Sequence, residues 1–310
     1  MTIQKSDMMK KCLFLAAGCL ILILAGCSTA EAQPVKSVFS RQNLLAWCIV
    51  PFDAKIRTPE ERADMLDRLG FTMLAYDWRD EHISEFDDEV RELGRHGISM
   101  TAFWWGSGMP ESRRSLKKDE RMQMQLDCIR RNNLKLEVWI TCSDHDLGSI
   151  DDEEKFEELA ERVDIFARVL APLGCRLGLY NHGGWGGQPH HMVEIMKRVR
   201  SDNVGIVYNF HHGHEHLDMM PAAFGEMLPY LLCVNLNGMN REGPKILPLG
   251  QGPEDEKILR MIKESGYSGP IGIIGHIAEE DVEVVLKRNL EGLKKLLVEI
   301  GDDGALETYR

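Results

Sequence analysis

Three histidines fall within four positions at His211-His212-Gly213-His214, and a neutral imidazole serves both as a metal ligand and as an acid–base group near neutral pH. His182, His190, His191 and His276 follow or lie near candidate strands in the same half of the chain. Adjacent side chains on an extended segment point to opposite sides, so only one of His211 and His212 is expected to face a common site if the strand continues that far. His182 and His212 are the candidate catalytic groups. A hydrogen-bonded structural role is expected for His190, His191 and His216. Around them stand groups suited to a polyol: Asp77, Asn181, Asn209, Asn235, Asn237 and Tyr180 for hydroxyls, and Trp104, Trp105 and Trp185 for stacking on a ring. Polar loops would supply most of these residues anyway, but tryptophan is a poor loop filler. No Walker A loop, G-x-S-x-G elbow, H-E-x-x-H helix or dinucleotide fingerprint occurs. The glycine run at 183–187 fits either an anion or a tight turn.

These residues need elements to bring them together. From residue 44 onward, short apolar runs alternate with amphipathic, charge-rich stretches, the signature of repeated βαβ units. The candidate strands are 44–50, 71–76, 98–104, 134–140, 175–180, 203–209, 231–237 and 270–275, starting 27 to 41 residues apart. Each interval holds one helix and its loops. Thr58, Pro59 and Gly70 are the N-cap, first position and stop of a helix over TPEERADMLDRL. Further helices are read at 153–174, 254–266 and 281–300, the last followed by a polar tail over 301–310. Eight such units without a composition break predict a single (β/α)8 TIM barrel, an α/β fold, over 43–300. Its working site then lies at the carboxyl ends of the strands, where all the candidate groups fall.

The chain has 310 residues, 44% hydrophobic and 28% charged, with a formal charge of −12. That acidity argues against nucleic acid, whose binding requires clustered Lys and Arg. Lys10-Lys11 precede an apolar core of about 14 residues, short for a membrane span and usual for a signal peptide. Its end, Leu24-Ala25-Gly26-Cys27, resembles the lipobox of bacterial lipoproteins. Residues 1–27 are therefore expected to be a processing segment, Cys27 the lipid attachment point and 28–42 a polar tether. A plain secretion signal is the alternative. An exported protein, touching the membrane only through this anchor, is the expectation. The remaining cysteines, Cys48, Cys128, Cys142, Cys175 and Cys233, are odd in number and lack any C-x-x-C pair, which indicates neither a disulfide framework nor a thiolate zinc site.

At GLYNHGGW, NVGIVYNFHHGH and LPLGQGPEDEKILRMIKESGYSGPIGIIGH, the chain resembles the xylose isomerase-like barrels labelled sugar phosphate isomerases/epimerases. The resemblance covers most of 44–298 and implies the same barrel acting on a small carbohydrate. Metal-dependent members place Glu, Asp, His, His and Glu where this chain has Tyr180, Asn209, His212, Asn235 and Gly275; only His212 matches. Carboxylates neutralise a hard cation and move protons in that family, and Tyr, Asn and Gly do neither. Zinc, or less readily manganese, on His182, His212 and His276 is the alternative expectation, since imidazole suits zinc. The expected activity is proton transfer next to a carbonyl of an unphosphorylated sugar. Isomerisation or epimerisation comes first, with elimination or hydration of a keto-sugar, or carbohydrate binding without chemistry, as the other readings.

Overall fold

Eight short parallel strands pair in chain order and close on themselves, forming the barrel of a computed structural model that describes residues 37–310. They are β1 (Leu44–Trp47), β2 (Met73–Tyr76), β3 (Ser99–Trp104), β4 (Glu137–Thr141), β5 (Arg176–Tyr180), β6 (Val204–Asn209), β7 (Leu231–Leu236) and β8 (Ile271–Ile274). Closure is made by β1 on β8, with Leu45 opposite Gly272 and Trp47 opposite Ile274. All eight expected strands are present. The first ends three residues early, because Cys48 adopts a left-handed conformation with φ 54° that no strand accommodates. The expected signal segment and Cys27 lie outside the described residues.

Among the described residues, ten α-helices pack outside: α1 (Pro59–Leu69), α2 (Phe86–Arg95), α3 (Arg113–Lys118), α4 (Glu120–Arg131), α5 (Asp152–Leu170), α6 (Pro189–Arg198), α7 (Met220–Met227), α8 (Asp255–Glu264), α9 (Val282–Glu299) and α10 (Asp303–Glu307). The start of α1 follows from its residues. Thr58 and Glu61 form a reciprocal capping box, Pro59 occupies the first position, and Gly70 ends the helix at φ 72°. Among the described residues, none of these helices is long and apolar enough to cross a membrane. The five cysteines from Cys48 to Cys233 are buried thiols without disulfide partners among the described residues.

Both ends of the chain differ from expectation. Ser37 donates to Asp302 at 2.6 Å, and Phe39 is buried with its carbonyl accepting from the Tyr309 hydroxyl at 2.7 Å. The tether therefore gives way to folded chain by residue 37. The tail forms α10 because Asp302 caps its first turn, and Ala305, Leu306 and Tyr309 present one apolar face.

Alternate strand residues fill the barrel interior with Leu45, Trp47, Ala75, Ala102, Trp139, Tyr180, Val207, Cys233 and Ile274. Trp139 fits because Gly178 faces it: a Cβ there would stand 2.7 Å from both Trp139 Cδ1 and Val207 Cγ2. Gly178→Ala is expected to destabilise the fold by about 1–3 kcal/mol through overpacking. A lower urea midpoint with an unchanged slope checks it.

Candidate functional site

The sharp turn after β1 creates the first element of the site. By turning left-handed at Cys48, the chain brings the amides of Ile49 and Val50 onto one carboxylate oxygen of Asp77, at 3.3 and 3.2 Å. Asp77 follows β2 and lines the cavity at the strand ends. Its other oxygen, Oδ2, is buried and meets no donor among the described residues. Burial pushes this carboxyl up to about 7, against the pull of the Arg79 guanidinium and the Val50 amide.

Tyr180 and Asn209 close β5 and β6. The Tyr180 hydroxyl oxygen accepts from Trp47 Nε1 at 3.1 Å and from Asn209 Nδ2. The Asn209 amide is oriented by its own Oδ1, which accepts from the His211 backbone at 3.1 Å. With both lone pairs of the phenol engaged, its proton is left to donate. Burial holds that phenol far above its ordinary range, so it remains an O–H.

His211 and His212 both line the cavity, contrary to the expectation from strand alternation. The chain leaves extended geometry at Asn209 and makes a 3-10 turn over Phe210–His212, so the two rings no longer point apart. Ring centroids stand 4.6 Å apart for His182 and His212, 4.6 Å for His211 and His212, and 4.9 Å for His211 and His276. Burial, then the neighbouring imidazoles, depresses His212 to about 2; burial, then His276, depresses His211 to about 3. His182 and His276 are lowered too, first by burial and then by Lys245 and Arg79. All four rings are neutral near pH 7. His211 and His212, held this low, are weak bases that serve instead as hydrogen-bond donors and acceptors.

The rings lie against one another, and among the described residues no group of three His, Cys, Asp or Glu side chains stands where it could hold an ion. The His276 ring stands edge-on to Phe52, 3.8 Å between centroids.

The inner cavity has a volume of about 130 Å³ and is lined by Trp47, Cys48, Phe52, Asp77, Arg79, Trp104, Tyr180, His182, Asn209, His211, His212 and His276. An outer basin of about 410 Å³ shares His182, His211 and His212 and adds His214, Asn240 and Lys245. A larger groove of about 980 Å³ runs along α5 and the loop after β4, and its Arg162 and Arg198 are committed to ion pairs.

Several expected contacts fall elsewhere. Trp105 points into the helix layer against Phe166, because it follows the inward-facing Trp104. Trp185 packs on Phe156 and His191 and donates to Asp152. Asn181 braces β5 to β6 by accepting from the Asn209 amide at 2.6 Å and donating to its carbonyl at 3.1 Å. Asn235 is buried inside the barrel beside Gly272, with Nδ2 unpartnered among the described residues. Asn237 donates to the carbonyls of Gly238 and Lys245. The glycine run is a tight turn, with Gly183 and Gly184 at positive φ and Gly186 against the Cys142 carbonyl. Sequence reasoning did not select Trp47, Cys48, Phe52, Arg79 or His211 for the site. Phe52 and Arg79 carried a signal, since both follow a strand end.

Residues 63–296 match the family model for the xylose isomerase-like TIM barrel. An uncharacterized protein of Methanocaldococcus jannaschii is 28% identical over 158 residues, 47% of this chain and 52% of that protein. The chain thus spans about half the length of the curated relative it matches. Among solved structures, a probable 3-DHS dehydratase, AsbF, from Bacillus anthracis superposes with a TM-score of 0.61 at 12% identity, covering 79% of this chain and 97% of that one. A D-tagatose 3-epimerase-like protein superposes with a TM-score of 0.60 at 16% identity, covering 84% and 98%. At such identities the likeness is one of fold.

The Asp77 environment generates a pH prediction. A carboxyl raised in the folded chain keeps a proton that the unfolded chain has released, so its contribution to stability is complete below its unfolded value and is lost as pH rises through about 7. Relative to Asp77→Asn, the wild type is expected to lose a few kcal/mol between about pH 4 and pH 7. Urea unfolding of both proteins at pH 4.5, 6 and 8 measures this, and a pH-independent difference between them would sink it.

Proposed function

The chain belongs to the xylose isomerase-like TIM barrel family, whose members and structural neighbours are mostly enzymes, and from that premise we propose that it transfers a proton next to a carbonyl of an unphosphorylated sugar or keto-sugar derivative. The observation that carries the reading is Asp77: a carboxyl at about 7, with one oxygen unengaged, in the same cavity as a phenol whose proton is available. A group titrating near the working pH can take a proton from carbon and return it. The Tyr180 O–H donates to the carbonyl oxygen as charge develops there. Trp104 offers an aromatic face, and neutral His182 and His212 exchange hydrogen bonds with hydroxyls.

Asp77 is the base in this reading, because His211 near 3 and His212 near 2 would bind a proton too weakly and Asp77 titrates close to neutrality. The cavity lining contains no second carboxyl among the described residues. That favours chemistry in which one group removes and redelivers the proton, as in isomerisation, over epimerisation between two opposed carboxylates. Elimination from a keto-sugar begins with the same removal and is the second reading. The proposal includes export through the lipobox-like segment with Cys27 as lipid anchor, and in that setting an unphosphorylated substrate is the natural one.

Incubating keto-sugars with the protein in D₂O tests the reading directly. Deuterium is expected on the carbon next to the carbonyl, at a rate rising with pH through about 7 as Asp77 ionises. Asp77→Asn is expected to slow the exchange by about 10²–10⁴-fold, and Tyr180→Phe by about 10²–10³-fold. Tight sugar binding without exchange in the wild type would instead make this a carbohydrate receptor.

A further inference from the structure

Among the described residues, two cations at the cavity lack an ion-pair partner, in a chain whose acids outnumber its bases by 49 to 37. Arg79 lines the inner cavity, where its Nη1 donates to the carbonyls of Asp77 and Trp78 at 3.2 and 2.8 Å. Its guanidinium carbon stands 5.6 Å from the centre of the Phe52 ring. Among the described residues it meets no carboxylate within ion-pair distance, and neither does Lys245. Arg241, four residues from Lys245, pairs with both Asp218 and Glu254.

Lys245 is held over the site by its backbone. Its carbonyl accepts from Asn237 Nδ2 at 3.0 Å and stands 3.0 Å from His214 Nε2, while Asn240 Nδ2 donates to the neighbouring Pro244 carbonyl at 2.9 Å. Its charge reaches the cavity: Lys245 contributes to the lowering of His182, His211, His212 and His276, and Arg79 to that of His182 and His276. Two acids lie nearby: Asp77 in the inner cavity, whose carboxyl burial holds largely protonated below about 7, and Glu215, the only acid on the basin's lining among the described residues, which stands 3.6 Å from His216 Nε2.

We infer that the substrate carries an anionic group, a carboxylate such as that of a sugar acid, which Arg79 and Lys245 engage while the sugar occupies the inner cavity and basin. A guanidinium with unused donors suits a carboxylate, and a lysine adds charge without strict geometry. The inference rests on the sugar-site reading of the cavity but not on proton transfer there. A phosphate monoester offers the same chemistry from a different source, so the test separates the two.

The intact protein is titrated with glucuronate, glucose and glucose 6-phosphate, and with the galactose counterparts, following the fluorescence of Trp47 and Trp104 in the cavity. Hexuronates are expected to bind at least about tenfold more tightly than neutral hexoses at low salt, with the margin shrinking as salt is raised. Lys245→Gln and Arg79→Gln should each reduce the margin, and the double variant should abolish it; Arg79→Lys, which retains the charge, should keep most of it. Unchanged melting curves exclude a folding defect. A margin shown by the phosphates alone would overturn the carboxylate assignment. Equal binding of charged and neutral sugars, a margin that survives in the double variant, or no binding of any anionic sugar at about 10 mM would overturn the anion site itself. Failure of deuterium exchange leaves these binding differences untouched, so the two readings fail separately.

Discussion

The site depends on a dry aromatic floor. Trp47 meets Trp139 edge-on at 4.9 Å between centroids, Trp104 meets Tyr180 at 5.1 Å, and Trp47 lies 5.8 Å from Tyr180. These rings fill the carboxyl end of the barrel and exclude the water that would solvate charge there. Everything polar resting on them is penalised for ionising. The imidazoles are driven down, the Asp77 carboxyl and the Tyr180 phenol are driven up, and the same burial that keeps His212 from acting as a base brings Asp77 near neutrality. Four neutral rings, one O–H and one titrating carboxyl are what such a floor permits.

At the positions where the resemblance implies metal ligands, three acids and a histidine, this barrel has Tyr180, Asn209, Gly275 and Asn235, and the structure gives each a reason of its own. Tyr180 and Asn209 are bound to each other and to Trp47. Asn235 is packed against Gly272 inside the barrel. Gly275 lies against Val282 and Ile49, where a Cβ would come within 2.6 Å of Val282 Cγ2. A carboxylate at any of these positions would need space, and a charge buried there would need a partner close at hand.

The barrel was readable because βαβ repetition and cap residues such as Thr58 and Gly70 are local signals that tertiary packing reinforces. The site was only partly readable. Asp77, Trp104, Tyr180, His182, Asn209, His212 and His276 do converge on one cavity. Strand alternation misjudged His211, since a 3-10 turn replaced the extended chain, and it would have excluded Trp105 had Trp104 been fixed as inward-facing. The role of Asp77 was not legible. Its raised pKa arises from burial and from two amides aimed by the left-handed Cys48, and such a conformation at a non-glycine residue has no composition signature. The folded tail escaped because polar composition hid the apolar spacing of Ala305, Leu306 and Tyr309.

That tail has a geometric corollary. It grips Ser37, Phe39 and Arg41 just ahead of β1, whose first residue lies at the amino-terminal rim, so the chain enters the barrel at the pole opposite the cavity. A force applied to the chain at Ser37 is therefore borne by β1 and the tail contacts, at the pole away from the strand ends that hold the cavity.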